Sequence, residues 1–244
     1  MAYAPVNGLE LYYETHGSGR PLVLLHGGLM TIDLNWGTLL QALAASRRVI
    51  AVELQGHGHT ADTDRPMTIE ALAGDIVALL DHLEIADADI FGFSLGGLVA
   101  YAVALSAPTR VGKLIVASAD AHRPPGRESV PLADDRMPTS ADFQAMRDAY
   151  DGVAPDPAHF DEFAVKASAM VHEFSGWTDE LRSLQAPTML IFGDRDFSPL
   201  ADVVEMFELL PNAQLAVLPG TTHIGVTRRP RELLALIEPF LYAS

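Results

Sequence analysis

The 244-residue chain predicts an α/β fold, with a mostly parallel sheet flanked by helices. Short apolar runs alternate with helical patterns from Pro21 to Ala119 and again from Thr188 to Tyr242, the rhythm of right-handed βαβ units. Between them, residues 120–185 lose that rhythm and carry Pro124, Pro125, Pro131, Pro138, Pro155 and Pro157, so the stretch reads as an insertion. The core is then 1–119 and 186–244. With 49% hydrophobic residues the chain can bury it.

The elements follow in order. Asn7-Gly8 marks a hairpin turn, and Leu9 to Thr15 alternates as a strand. Gly17-Ser18-Gly19 turns the chain into Pro21 to His26, a continuous apolar run of the kind buried on both faces. Trp36 to Ala45 predicts a helix and Arg48 to Glu53 a strand. Thr68 to Leu83 sets Ile69, Leu72, Ile76, Leu79, Leu80 and Leu83 on one face, with Thr68 placed to cap. Ala88 to Phe93 predicts a strand, Leu95 to Ala107 a helix and Lys113 to Ala119 a strand. Thr139 to Tyr150 and Pro157 to Phe174 are the helical pieces of the insertion. Thr188 to Phe192, Pro199 to Leu210, Gln214 to Leu218 and Arg231 to Tyr242 then alternate as strand, helix, strand and helix.

Lys and Arg total 16 against 32 Asp and Glu, a net charge of −16. That excludes the basic footprint of a nucleic-acid binder and disfavours docking on anionic lipid. The absence of cysteine excludes disulfides, thiolate metal sites and a cysteine nucleophile. Met-Ala-Tyr-Ala-Pro at the start lacks the regions of a signal peptide, and no apolar run approaches about 20 residues. A soluble, cytoplasmic protein acting on a small molecule is the expectation; nothing fixes its oligomeric state.

Gly92-Phe93-Ser94-Leu95-Gly96-Gly97 lies between a predicted strand and a predicted helix. A serine on so tight a turn leaves no room for side chains two residues before and after it, hence the glycines. The turn lifts Oγ into the open, and the helix directs its first N–H groups at developing negative charge. A serine hydroxyl needs a base, and the base an orienting acid. His223 in Pro219-Gly220-Thr221-Thr222-His223 and Asp196 in Gly193-Asp194-Arg195-Asp196-Phe197-Ser198-Pro199 both follow strands, where open α/β sheets place their sites. Asp194 competes with Asp196; otherwise it is a turn aspartate bonding backbone N–H groups.

These motifs, with His26-Gly27-Gly28 after the first buried strand, resemble the α/β-hydrolase superfamily over nearly the whole chain, closest to its serine-esterase and enol-lactonase branches. The resemblance implies an eight-stranded sheet, a triad of Ser94, Asp196 and His223, and 120–185 as a lid. It implies oxyanion donors from Gly28 and Leu95, with Leu29 as the alternative register to Gly28. The expected activity is hydrolysis of a small to medium, mostly apolar ester or lactone, with no cofactor and no metal. Cofactor-free haloperoxidation or perhydrolysis, C–C bond hydrolysis, and a weakly active small-molecule receptor share the constellation. Leu29, Met30 and Phe93 beside the motifs, and Met146, Met170 and Trp177 in the lid, are the expected substrate contacts.

Glu53-Leu54-Gln55-Gly56-His57-Gly58-His59-Thr60 resembles two things. One is the H-x-H of metallo-hydrolases, but Asp62 falls one place late and no histidine follows it. The other is the hydrolase family's structural loop Asp-x-x-Gly-x-Gly-x-Ser, here with Glu53 for the Asp and Thr60 for the Ser. The structural loop is the expectation.

Overall fold

The computed structural model describes residues 1–122 and 134–243. Pro124, Pro125 and Pro131 lie outside them. Eight strands form one sheet in the order β1-β2-β4-β3-β5-β6-β7-β8. They are β1 (Ala2–Val6), β2 (Leu9–His16), β3 (Pro21–Leu25), β4 (Arg48–Val52), β5 (Ala88–Phe93), β6 (Val111–Ala117), β7 (Thr188–Arg195) and β8 (Ala213–Thr222). β2 runs antiparallel to both β1 and β4, and every other pairing is parallel. The central strands are mostly apolar because helices cover both faces; β5 is buried at every position, Asp89 included.

Between the strands run α1 (Ile32–Trp36), α2 (Leu40–Ala44), α3 (Ile69–His82) and α4 (Leu95–Ser106). Thr68 caps α3 by accepting the Ala71 N–H at 3.0 Å. α4 buries Leu95 through Ala104 without a break and is apolar all round. α7 (Leu200–Leu209) and α8 (Pro230–Tyr242) complete the layers. From the end of β6 to the start of β7 the described residues form no strand. They contribute α5 (Ser140–Asp151), α6 (Phe160–Glu173) and short 3-10 turns. Among the described residues no helix is long and apolar enough to cross a membrane.

The structure corrects several boundaries. The helix expected over 36–45 is two: Thr31 starts α1 early by accepting the Leu34 N–H, and Gly37 follows its last residue. β6 ends two residues before the expected Ala119, because Ser118 takes φ +53 and leaves the extended region. The helix expected from Pro157 begins as a 3-10 turn, with Asp156 accepting the Ala158 N–H, and becomes α6 at Phe160.

Candidate active site

Four parallel strands, with β6 between the inner two, deliver their following residues to one edge of the sheet. His26 follows β3, Ser94 follows β5, Asp196 follows β7 and His223 follows β8. Ser94 takes φ +51 and ψ −117, a strained conformation at the head of α4. Neighbouring backbone enforces the glycines. A Cβ on Gly92 would lie 2.2 Å from the Gly96 carbonyl oxygen, and one on Gly96 would lie 2.1 Å from that of Leu25.

The structure brings Ser94, His223 and Asp196 into one hydrogen-bonded chain. His223 Nδ1–H donates to Asp196 Oδ1 at 3.0 Å, which leaves Nε2 as an acceptor 2.9 Å from Ser94 Oγ. His223 and Asp196 are buried, while Ser94 is half-buried. Burial pushes the Asp196 carboxyl up, but the hydrogen bond and charge of His223 outweigh it and hold the carboxyl below its ordinary value. Asp194 is elsewhere: its Oδ1 accepts the Thr221 N–H at 3.1 Å and holds the turn ahead of His223. The imidazole lies between two rings, stacked on Phe197 at 3.9 Å and tilted against Phe93 at 5.1 Å. Phe197 escaped the sequence reading; its only signal was an aromatic next to the acid.

The N–H groups of Gly28 and Leu95 donate to no acceptor among the described residues. Leu29 adopts φ +61 in the same loop, and Met30 N–H closes it on the Gly27 carbonyl at 3.2 Å. Met30, Phe93 and Met146 pack in one apolar cluster, whereas Met170 and Trp177 belong to the cluster on the opposite face of the sheet. Leu29 touches both. Trp177 meets Phe174 edge to face at 4.6 Å and donates its backbone N–H to Ala121. A cleft of about 360 Å³ opens beside His223's neighbours Thr222 and Ile224. Arg136, Met137 and an Arg228–Asp142 ion pair also line it, and neither Ser94 nor His223 is part of its wall.

His57 and His59 do not converge on a common point for a ligand. His57 is fully buried and edge-on to Phe163, and its Nδ1–H donates to the Gln55 carbonyl at 2.9 Å. His59 stacks on Tyr12 at 4.0 Å and bonds Glu53. Burial pushes both His26 and His57 below the ordinary histidine value, His57 much further, so both rings are neutral.

A profile described as the Alpha/beta hydrolase family matches residues 22–236. The chain belongs to that family. Among relatives, this hydrolase is 30% identical over 271 aligned residues to a non-heme haloperoxidase of Rhodococcus erythropolis, covering 95% of this chain and 97% of that protein. It is 46% identical over 119 residues to a dihydrolipoyllysine-residue acetyltransferase component of an acetoin cleaving system from Pseudomonas putida. That match covers 48% of this chain and only 32% of the relative. Among solved structures, the enol-lactonase from Burkholderia xenovorans LB400 superposes with a TM-score of 0.75 at 25% identity, over 99% of this chain and 100% of that one.

Proposed function

We propose that this α/β hydrolase cleaves a small to medium, mostly apolar carboxylic ester or lactone through an acyl-enzyme on Ser94. The observation that carries the reading is the Ser94–His223–Asp196 chain, with both hydrogen bonds at ordinary length in the resting protein. Ser94 Oγ attacks the carbonyl carbon while His223 Nε2 takes its proton. Asp196 holds the tautomer and stabilises the imidazolium. The N–H groups of Leu95 and of Gly28, or Leu29 in the alternative register, receive the oxyanion, each donor of this kind being worth about 3–4 kcal/mol in the transition state. The imidazolium protonates the departing alkoxide. Water, deprotonated by the same imidazole, releases the acid and restores Ser94. The route draws on no metal or cofactor.

Residues 120–185 act as the lid, with Met146 meeting the acyl chain beside Met30 and Phe93. Likeness to an enol-lactonase supports the lactone side of the reading. Likeness to a non-heme haloperoxidase favours a second reading, perhydrolysis on the same serine. A fluorophosphonate should label Ser94, and a panel of p-nitrophenyl esters and lactones should show turnover. Halogenation that depends on acetate and peroxide, without ester turnover, would move the assignment to the second reading.

A further inference from the structure

The loop 27–31 carries the Gly28 and Leu29 N–H groups and includes a non-glycine residue at φ +61. Such a loop does not hold its shape unaided. Two buried acceptors hold it from outside. Asn35 Oδ1 receives the Gly27 N–H at 2.9 Å, and Glu53 Oε1 receives the Ile32 N–H at 3.1 Å. Together they grip both ends of the stretch that contains the donors.

Glu53 is itself fixed to the sheet. Its N–H donates to the Tyr12 carbonyl of β2 at 3.1 Å, and its own carbonyl receives Thr60 Oγ–H at 2.7 Å. Oε2 accepts the His59 N–H at 2.6 Å and His59 Nδ1–H at 2.8 Å. The carboxylate lies against Gly58, where a Cβ would stand 2.3 Å from it. A carboxylate that is 2% exposed is costly unless its oxygens are met, and here three N–H groups meet them. From its place after β4, the side chain spans the gap to Ile32; an aspartate would be one methylene shorter.

We propose that Glu53 is a positioning residue for the oxyanion loop, tying it to the sheet through the Ile32 N–H. The inference rests on the Ser94 reading. Glu53→Gln offers one acceptor oxygen, so either Ile32 or His59 loses its partner. Glu53→Asp keeps the charge but falls short of Ile32. Ile32→Pro deletes the N–H, at the cost of part of a buried side chain, leaves Glu53 in place, and suits the backbone: Ile32 is the first residue of α1, and Thr31 before it is extended at φ −107 and ψ 171.

The test measures kcat and KM for a p-nitrophenyl ester, together with inhibition by an alkylboronic acid. The boron accepts the Ser94 Oγ lone pair as His223 takes the proton, and a boron hydroxyl occupies the oxyanion position. In any folded variant of the three, kcat should fall about tenfold and boronate inhibition weaken by a similar factor, with KM within about twofold. Wild-type kcat and boronate affinity in folded Ile32→Pro or Glu53→Gln protein would overturn the brace. Fluorophosphonate labelling of the wild type is read first: failure there removes the Ser94 reading, whereas normal labelling with unaltered variants removes the brace alone.

Discussion

At the carboxyl edge of the sheet, several buried polar groups are held by specific partners and backbone packs on backbone. Asp196 meets His223, Asn35 meets Gly27, Glu53 meets Ile32 and His59, and Gly92 and Gly96 sit where no other residue has room. The segment between β6 and β7 is built differently. A few anchors, Met146, Tyr150, Phe160, Phe163 and Met170, sink α5 and α6 into the core. Ion pairs join its outer parts, Arg147 to Asp161 within it, and Lys166 to Asp62 and Asp142 to Arg228 across to the core. The first region tolerates almost no substitution in principle, while the second should tolerate many. The edge is specified residue by residue, the segment mainly by volume and amphipathic pattern.

The largest expected effect therefore lies at the edge. Ser94→Ala should lower kcat by at least about a thousandfold with the far-UV circular dichroism unchanged. Asp196→Asn should follow it, costing on the order of a hundredfold or more, because the amide favours the wrong imidazole tautomer. Asp194→Asn, which touches only the Thr221 turn, should cost about 1 kcal/mol of stability or less and little rate. Purified Ser94→Ala with wild-type ester turnover, or the two aspartates in reverse order, would undo the assignment.

Within the segment, anchors and ion pairs should separate cleanly. Phe163 is fully buried, stacks on Tyr150 at 5.7 Å and meets His57 at 4.6 Å. Phe163→Ala should cost about 3–4 kcal/mol in urea unfolding. Arg147→Ala removes an exposed ion pair and a contact over the Phe160 ring at 4.6 Å, and should cost about 1 kcal/mol or less. Equal losses would mean that polar contacts hold the segment as firmly as its anchors.

Acid should also tell the regions apart. His26 and His57 are held below their ordinary value of 6.5 by burial, with the neighbouring His26 lowering His57 further. The unfolded chain takes up protons there that the folded chain refuses, so stability falls as pH drops below about 6.5. Each contributes a slope of about 1.4 kcal/mol per pH unit until its folded value is reached. Burial alone would raise Asp62 and Asp142, but Lys166 acts on Asp62, and Thr139 and Arg228 act on Asp142, and both lie below 3.8. Their contribution is complete above 3.8 and is lost only as pH falls further. His57→Gln should therefore flatten urea midpoints between pH 6.5 and 5 and leave the decline below pH 4. An unchanged slope above pH 5 would show that His57 is not the group resisting protonation.

The same contrast explains what the sequence disclosed. The Ser94 turn announces itself because glycines at 92 and 96 and a serine between them have few reasons to occur together after a buried strand. Asp196 and His223 follow strands whose apolar runs are easy to see. Asn35, Glu53 and Phe197 are different: each acts through a partner 8 to 26 residues away in sequence, and no local pattern distinguishes it from an ordinary helix, strand-end or loop residue. The early end of β6 has the same cause, since the positive φ at Ser118 depends on where neighbouring strands lie. The early start of α1 is local instead: the Thr31 hydroxyl reaches the Leu34 N–H three positions on, a cap that the run of apolar residues alone does not show.

The smallest effect concerns chain length. Met146, Met170 and Trp177 look alike as apolar residues of one segment, yet they occupy different surroundings. Met146 packs with Met30 and Phe93, and it borders a small recess with Met30, Ile224 and Thr227 next to His223. Met170 and Trp177 pack with Leu95 and Phe163 on the other face of the sheet. If the acyl chain follows the Met30 side, Met146→Ala should widen its path and move the optimum toward longer esters. A methylene of added reach alters relative kcat/KM by about tenfold or somewhat more. Met170→Ala and Trp177→Ala should lower stability instead and leave the ranking alone. The measurement is a series from acetate to decanoate on all four proteins, with the pH profile of kcat recorded alongside. The profile should not move, because none of the three touches His223. A shift of ranking in Met170→Ala but not in Met146→Ala would place the acyl chain on the Leu95 side, and the lining would then be Leu29, Met170 and Trp177.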